Sequence, residues 1–364
     1  MKSSIHQLLQ RKKVTVEHLA DLLGFKVTEV YHLLDNLDFY PISILSKVAY
    51  GLDISLKELR DILYSNQDSG VLFRKSGAKV DGAFYRISRL ITDIPPIDNE
   101  SREPFWGLLE YYAESKNSHP SPKQFAEIFR SLFYNNKVIP LLDLPNLLTD
   151  QLKIFVSIVS SSVFEGASII KNGVPFIFLS PRFSGRMLFT LAHELGHLLA
   201  HHSNEEILID EDSFINIKSK DPKEIFANEF ASELLLPENG ITSALEVFRG
   251  FANNNGPIGD IEILFIARLY GVSFEVTGYR LEKLRMLRKG STAALLETLK
   301  KNSVSPEKRA DSIGLPPRNE FRVEKYPKFL FDEAIDAIRK GDYSIGYIAE
   351  LLDLTVSELQ IKNT

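Results

Sequence analysis

The chain has 364 residues, of which 44% are hydrophobic and 25% charged, with a formal net charge of −5. A chain of this length predicts two or three domains, each long enough for a buried core. The negative charge argues against broad nucleic-acid affinity of the whole chain, and the absence of cysteine excludes disulfides and thiolate metal ligands. No apolar leader and no run of about 18 apolar residues is present, so we expect a cytoplasmic protein that does not associate with membranes.

The first 65 residues predict a compact unit of five helices. Thr15 is placed to cap the second helix, and Gly24 makes the turn that follows it. The run Leu19-Ala-x-x-Leu23-Gly24, together with Leu45-x-Lys-Val-Ala-x-x-Leu52, resembles the xenobiotic-response-element (XRE) class of helix-turn-helix repressors. The predicted helices are 5–9, 15–23, 26–34, 41–49 and 55–63.

That resemblance implies that the third helix enters the major groove of DNA with Lys26, Thr28 and His32. The charge of the unit weakens this interpretation, because residues 1–65 hold eight Lys and Arg against eight Asp and Glu. Phosphate contacts supply most non-specific affinity for DNA, so tight binding by a monomer is not expected. DNA binding and a homodimerisation or partner-docking use of the same fold both remain open.

A change of composition marks the next boundary. Residues 66–100 are rich in polar and turn-forming residues, which predicts a connector, and 101–288 predict the central domain. Two helices are expected at the start of that domain, at 104–115 and 121–135, the second capped by Ser121.

Three strand-like runs follow these helices and predict a small sheet. Asn172-Gly173, between 167–170 and the last run, is typical of a two-residue hairpin turn. We therefore expect an α+β fold that is mostly helical, with the sheet confined to the central domain. The strand-like runs are 137–142, 154–163 and 174–179.

The most informative motif is His193-Glu194-Leu195-Gly196-His197, a complete H-E-x-x-H. On a helix, positions i and i+4 lie on one face, so the two imidazoles can converge on one Zn²⁺. Glu194 would then lie beside the metal, where it can accept a proton from a zinc-bound water. The apolar stripe beside the histidines predicts a buried helix and comprises Leu191, Leu195, Leu198 and Leu199.

The third metal ligand is not fixed by spacing. The metzincin extension fails, because Ala200 and Ser203 stand where it needs Gly and His. His201 lies two turns and about 12 Å of rise from His193, which predicts a partly exposed residue at the helix end. The remaining donors are downstream carboxylates: Glu205, Glu206, Asp210, Glu211, Asp212, Asp221, Glu224, Glu229 and Glu233.

Two segments together resemble the ImmA/IrrE family of bacterial metallopeptidases. They are Arg186-x-x-Phe-Thr-x-Ala-His-Glu-Leu-Gly-His-Leu-Leu-x-His201 and Glu224-Ile-Phe-Ala-Asn-Glu-Phe-Ala-Ser-Glu-Leu-Leu-Leu-Pro237, with Leu236 where the family pattern has Met. The resemblance covers roughly residues 120–285 and implies Glu224 as the third zinc ligand. It also implies Asn228 as the partner that orients a ligating histidine, and the i, i+4 spacing of Glu224 and Asn228 fits this.

We interpret the central domain as a zincin-like, gluzincin-type zinc metallo-endopeptidase with Glu194 as general base. In zincins a small sheet precedes the metal helix, and one strand edge commonly holds the substrate peptide by β-augmentation. The family implies cleavage of a protein target, a transcriptional repressor, in stress or mobile-element regulation. The alternative is a transcription regulator or toxin–antitoxin component whose zinc domain senses or binds without cleaving. Mn²⁺ or Fe²⁺ could replace Zn²⁺ at two imidazoles and a carboxylate.

Two further groups of residues leave their roles open. Arg182 and Arg186 flank the motif helix either as sheet-edge cations or as groups that orient substrate carbonyls. The group that stabilises the tetrahedral oxyanion could be Tyr270, Tyr279, His202 or the zinc itself.

Residues 289–364 predict a helical C-terminal region. Its helices are expected at 329–339, ending at Gly341, and at 344–352 and 355–359. The pattern Ile345-x-x-Ile-Ala-x-x-Leu352 echoes Val16-x-x-Leu-Ala-x-x-Leu23 near the N-terminus. The region is therefore either a second, truncated helix-turn-helix-like module or a helical lid or dimer arm.

Overall fold

The protein forms two compact units, Met1–Ser88 and Arg89–Thr364. No helix in the described part of the chain is long and apolar enough to cross a membrane. The computed structural model describes residues 14–35, 42–55, 102–114, 119–160, 164–171, 173–201, 208–210, 221–252, 256–324, 326–352 and 354–361, with residues 9, 12, 59, 86, 87, 90 and 91.

In the first unit the described residues form three of the five predicted helices. Thr15 caps the first of them by accepting a hydrogen bond from the His18 N–H at 3.2 Å. Gly24 ends that helix with φ of 70°, a backbone conformation that glycine adopts without strain. The helices predicted at 5–9 and 55–63 lie outside the described residues, except for Ser55 and the buried Leu9 and Leu59. The three helices are α1 (Val16–Leu23), α2 (Val27–Asp35) and α3 (Ile42–Gly51).

The larger unit is mostly helical, as predicted, and its helix ends follow the capping residues. Ser121 and Gln124 form a capping box at the start of the second helix of this unit. The helices are α4 (Glu103–Glu114), α5 (Pro122–Phe133), α6 (Leu144–Asp150), α7 (Ser184–Ala200), α8 (Pro222–Leu235), α9 (Glu238–Ala252), α10 (Asp260–Tyr270), α11 (Phe274–Lys283), α12 (Ser291–Lys301), α13 (Pro306–Ser312), α14 (Lys328–Lys340), α15 (Ile345–Leu351) and α16 (Val356–Ile361).

One small mixed sheet lies in this unit, with strand order β1-β3-β2-β4. β1 pairs with β3 in parallel, whereas β2 is antiparallel to both β3 and β4. The predicted hairpin is confirmed: Lys171 pairs with Val174, and Gly173 has φ of 73°. Asn172 lies outside the described residues. The strands are β1 (Phe155–Ile158), β2 (Gly166–Lys171), β3 (Val174–Leu179) and β4 (Leu208–Asp210).

The strand predicted at 137–142 is wrong, because this segment forms turns. The buried Arg130 guanidinium donates to the carbonyls of Lys137 at 2.8 Å and Ile139 at 3.1 Å. These carbonyls accept hydrogen bonds from a buried cation on α5. A sequence pattern cannot reveal this contact. The strand predicted at 154–163 is shorter than expected, since β1 ends at Ile158.

The helix that carries the H-E-x-x-H motif lies in the centre of the larger unit. α7 packs on β2 and β3 on one side and on α8 on another. The predicted apolar stripe is buried, which confirms this part of the analysis; Leu191, Leu195, Leu198 and Leu199 are all at most 1% exposed. A buried, 17-residue helix thus holds the motif rigidly.

Helices α15 and α16 repeat the pattern of α1 and α2. Ser344 caps α15 by accepting from the Tyr347 N–H at 3.1 Å, as Thr15 caps α1. The buried positions correspond at the same spacing: Leu19 with Ile348, Ala20 with Ala349, Leu23 with Leu352 and Val30 with Leu359. The sequence echo therefore reflects a repeated two-helix structure.

Candidate metal centre

The two motif histidines lie on one buried face of α7. His193 is 3% exposed and His197 2% exposed. Their Nε2 atoms are 2.9 Å apart, so both rings direct a ligand atom to the same point.

Helix α8 brings Glu224 to these two histidines. Its Oε1 lies 3.2 Å from His197 Nε2, and its Oε2 lies 3.4 Å from His193 Nε2. The helices can approach closely because Gly196 has no side chain: a Cβ there would be 3.2 Å from Ala227 Cα. The motif glycine thus has a packing role that the sequence analysis did not assign.

The geometry and charge of this cluster fit a metal ion. Ligands at about 2.0–2.1 Å in a tetrahedral site are about 3.3 Å apart, close to the spacing between the three side chains. Burial lowers the pKa of His197, which keeps the ring in the neutral form that binds metals. Burial would raise the pKa of Glu224, but hydrogen bonds with His193 and His197 hold it well below its usual range. Among the described residues, this is the cluster of His, Asp and Glu that could hold a metal.

Each histidine of the cluster has a partner on its other ring nitrogen. Asn228 Oδ1 lies 3.1 Å from His193 Nδ1, so the amide oxygen can accept its hydrogen. His201 Nδ1 lies 3.0 Å from His197 Nδ1. Such contacts fix the tautomer and orientation of metal-binding imidazoles.

The contact of His201 was missed by the sequence analysis. His201 is the half-buried C-cap of α7, as expected for a helix end. Burial, followed by the nearby His197, lowers its pKa to about 4. The available signal was its i+4 spacing from His197, which places the two rings on one face of the helix.

Glu194 lies on a different face of the helix from the histidines and is 0% exposed. It faces β2, where a Cβ on Gly166 would come within 2.5 Å of Glu194 Oε1 and 2.6 Å of Thr190 Cγ2. The glycine therefore makes room for the Glu194 carboxylate between helix and sheet.

Several of the other candidate carboxylates have different partners. Glu229 pairs with Lys283 at 2.8 Å, and Glu233 pairs with the buried Arg280 at 2.6 Å. Asp221 caps α8 by accepting from the Lys223 N–H at 2.9 Å. Outside the described residues lie Glu205, Glu206, Glu211, Asp212 and the side chain of Asp210.

Arg182, just before α7, and Arg186, in its first turn, both bind a buried carboxylate. Arg182 Nε lies 2.8 Å from Glu165 Oε1, and Arg186 Nε lies 3.0 Å from Glu165 Oε2. Glu165 is 6% exposed and directly precedes β2. These contacts are those of sheet-edge cations, the first of the two roles considered for them.

The candidates for oxyanion stabilisation have different surroundings in the structure. The Tyr270 hydroxyl donates to the Val138 carbonyl at 2.9 Å and is buried, so it has no hydrogen to offer a substrate. Tyr279 is half-buried on α11 and lines a cavity beside α8. His202 lies outside the described residues.

The structure thus brings four predicted site residues together: His193, His197, Glu224 and Asn228. The residues predicted to contact DNA lie in the first unit: Lys26 directly precedes α2, and Thr28 and His32 belong to it. Lys26 and Thr28 are exposed there, and the side chain of His32 lies outside the described residues.

A buried pair of histidines on one helix with a glutamate from the next is typical of proteins that hold a single metal ion. Residues 150–282 match the family model Peptidase_M78, the IrrE N-terminal-like domain. This part of the chain is therefore similar to the ImmA/IrrE family, a metallopeptidase-type family. The match spans the sheet, both helices of the cluster and nearly all of α11. No curated protein matches the chain.

Proposed function

We propose that this protein is a zinc-dependent metallo-endopeptidase of the ImmA/IrrE type. His193, His197 and Glu224 would hold the metal, and Glu194 would be the general base. The observation that carries the proposal is the buried His-His-Glu cluster on α7 and α8, with a fully buried carboxylate one residue after His193. Mn²⁺ and Fe²⁺ suit the same donors, so the metal is part of the test.

When bound, zinc lowers the pKa of a water ligand to about 7 and polarises the scissile carbonyl. Glu194 accepts the proton that leaves the attacking water and returns it to the departing amine. Its position against Gly166 restricts its rotation, so the carboxylate keeps one orientation. Asn228 and His201 hold the two imidazoles in the tautomers that direct Nε2 to the metal.

We also propose that residues 1–65 form an XRE-like helix-turn-helix domain, joined by a connector at 66–100 to the peptidase domain at 101–288. The target would be a transcriptional repressor, which this first domain brings to the peptidase by binding DNA, the repressor or a second copy of the chain. Support comes from α1, which is capped by Thr15 and followed by α2, and from the exposure of Lys26 and Thr28. The C-terminal region, 289–364, would carry a second unit of the same kind.

The proposed function is tested by metal analysis and by a search for the target. The purified chain should contain about one zinc per molecule, and His193→Ala or Glu224→Ala should lose it. In the native host, wild type and Glu194→Gln are induced separately and the proteomes compared. A protein shortened only by wild type would identify the substrate. If both forms change the same transcripts and nothing is cleaved, the protein is a regulator and not a peptidase.

We predict that Gly166→Ala lowers peptide cleavage about 100-fold, because the new methyl group displaces the Glu194 carboxylate. The metal content should stay at the wild-type level, since the atoms nearest to the new methyl group belong to Glu194 and Thr190 and not to the metal cluster. The measurement is the cleavage rate together with metal analysis. Gly107→Ala on α4 is the matched control, because a Cβ there meets nothing within 4 Å. Equal rates for both variants would contradict the role given to Gly166.

A further inference from the structure

A cavity of about 410 Å³ opens between α7, α8 and α11. Its walls include Phe189 from α7, Ile225 and Ser232 from α8, and Val276 and Tyr279 from α11. The volume lies within the range of about 300–1,000 Å³ that ligand pockets occupy. None of these five residues has a part in the metal cluster.

The cavity adjoins the candidate metal centre, because two of its wall residues contact His193. Phe189 precedes His193 by one helical turn, and the two ring centroids are 6.5 Å apart. Asn228 lines the cavity and contacts His193 Nδ1, and Ile225 follows directly on Glu224. Since Phe189 is one turn before His193, the cavity lies beside the candidate metal centre, at the part of α7 that precedes the motif.

The walls are apolar where they are deepest. Phe189 is 7% exposed and Val276 5% exposed, so their side chains form a packed base. Ile225, at the mouth of the cavity, is 44% exposed. An apolar occupant would cover it.

Three of the charged groups around the cavity already have partners. Lys283 lies 2.8 Å from Glu229, and Glu282 accepts hydrogen bonds from the backbone N–H groups of Gly290 and Thr292. Lys289 is exposed at the rim. A charged occupant would have to disrupt these contacts, whereas an apolar one leaves them intact.

We propose that this cavity receives a bulky apolar side chain of the polypeptide substrate, next to the peptide bond that is cut. Ser232 and Val276 would set the size of the side chain that fits. This proposal rests on the proposed peptidase function and names the substrate feature that the same site selects. A hydrophobic pocket of this kind discriminates by about 10–200-fold between side chains that fill it and those that do not.

To test the proposal, the cavity is filled with a larger side chain by the substitution Ser232→Leu. Leucine suits α8 better than serine does, so the helix itself is not weakened. The probe is a peptide library randomised on both sides of the scissile bond, with the products read by mass spectrometry. Wild type should prefer Phe, Leu or Met over Ala by about 10-fold or more at one position, and Ser232→Leu should lose that preference while it still cleaves peptides with small residues.

Ser131→Leu, on the exposed face of α5, is the matched control and should keep the wild-type preference. Val276→Ala enlarges the cavity and should shift the preference towards Trp. It keeps the proposal testable if Ser232→Leu does not fold. An unchanged preference in both cavity variants would overturn the proposal, as would a wild-type preference for small or charged residues.

A binding measurement separates this proposal from the proposed function. Fluorescently labelled Phe-containing and Ala-containing peptides are titrated into zinc-loaded Glu194→Gln, with and without Ser232→Leu. Tighter binding of the Phe peptide, lost with Ser232→Leu, would support the pocket even if wild type cleaved nothing. Cleavage by wild type without any apolar preference would refute the pocket and leave the peptidase function standing.

Discussion

Replacing Glu194 with glutamine is expected to lower the rate of peptide cleavage by about 10²–10⁴-fold, the usual contribution of a general base. Glutamine has almost the same shape as glutamate but cannot accept a proton at neutral pH. Glu194 is fully buried and is separate from the three residues whose ligand atoms cluster, so the metal should stay bound. Activity and metal content should therefore respond differently to this single change.

The measurement is the cleavage rate of a purified substrate, together with zinc per chain and the melting temperature. Glu246→Gln, an exposed position on α9, removes the same charge far from the motif in sequence and should leave the rate unchanged. Glu224→Ala should lose both activity and metal. If Glu194→Gln retained the wild-type rate, the proton would have another acceptor and our assignment of the base would be wrong.

The centre of the candidate site could be predicted because it depends on short-range spacing. His193 and His197 are i and i+4 on one helix, and their convergence follows from helix geometry. Glu224 could not be chosen by spacing, since nine of the carboxylates that follow the motif were candidates, and it came from the family resemblance. The structure adds a physical reason, because α8 can approach α7 closely at Gly196.

Features that arise from tertiary contacts were not predictable. Nothing near Gly166 in the sequence indicates that Glu194 will lie against it, since the two belong to a strand and a helix 28 positions apart. The strand predicted at 137–142 failed for a similar reason, because Arg130 from α5 binds its carbonyls. Helix ends were predicted better, since a local capping residue such as Ser121 determines several of them.

The repeated two-helix units show what pattern alone can establish. The echo between residues 16–23 and 345–352 was visible in the sequence, and both copies have a capped first helix and buried apolar positions at equal spacing. The exposed residues differ in charge, however. The exposed cation Lys26 corresponds to Thr355 at this spacing, whereas Thr28 and Glu29 correspond to the similar Ser357 and Glu358. A shared core therefore does not imply a shared partner.

We expect that ending the chain after residue 288 lowers the melting temperature by about 10 °C or more, or leaves the protein insoluble. The family match ends at 282, yet α10 depends on residues beyond that point. The buried Arg268 donates to the carbonyls of Leu315 and Pro316 and pairs with Glu307. Removal of residues 289–364 takes away these partners and also exposes the part of the core to which Ala310 and Phe321 belong.

Residues 289–364, which this truncation removes, also contact the residue at the N-terminal end of α7. Arg318 donates to the Ala267 carbonyl at 3.1 Å, and its guanidinium lies 4.7 Å from the centre of the Phe183 ring. Since Phe183 is the N-cap of α7, the truncation should also loosen the helix that carries the metal cluster. We therefore expect zinc to bind more weakly to the shortened chain, as measured by competition with a chelating dye.

The comparison that isolates this effect uses a second truncation, after residue 324, which keeps Arg318 and all the partners of Arg268. That chain loses α14, which packs on α6, and the contact of Tyr326 with Phe155, but it should melt well above the chain that ends at 288 and should hold its zinc. In the full chain, Arg268→Met should reproduce part of the loss, whereas Arg309→Met, which removes a half-exposed ion pair with Asp260, should change stability little. Equal melting temperatures for the two truncations would mean that residues 289–324 are an appendage and that the domain ends at 288, where the sequence suggested.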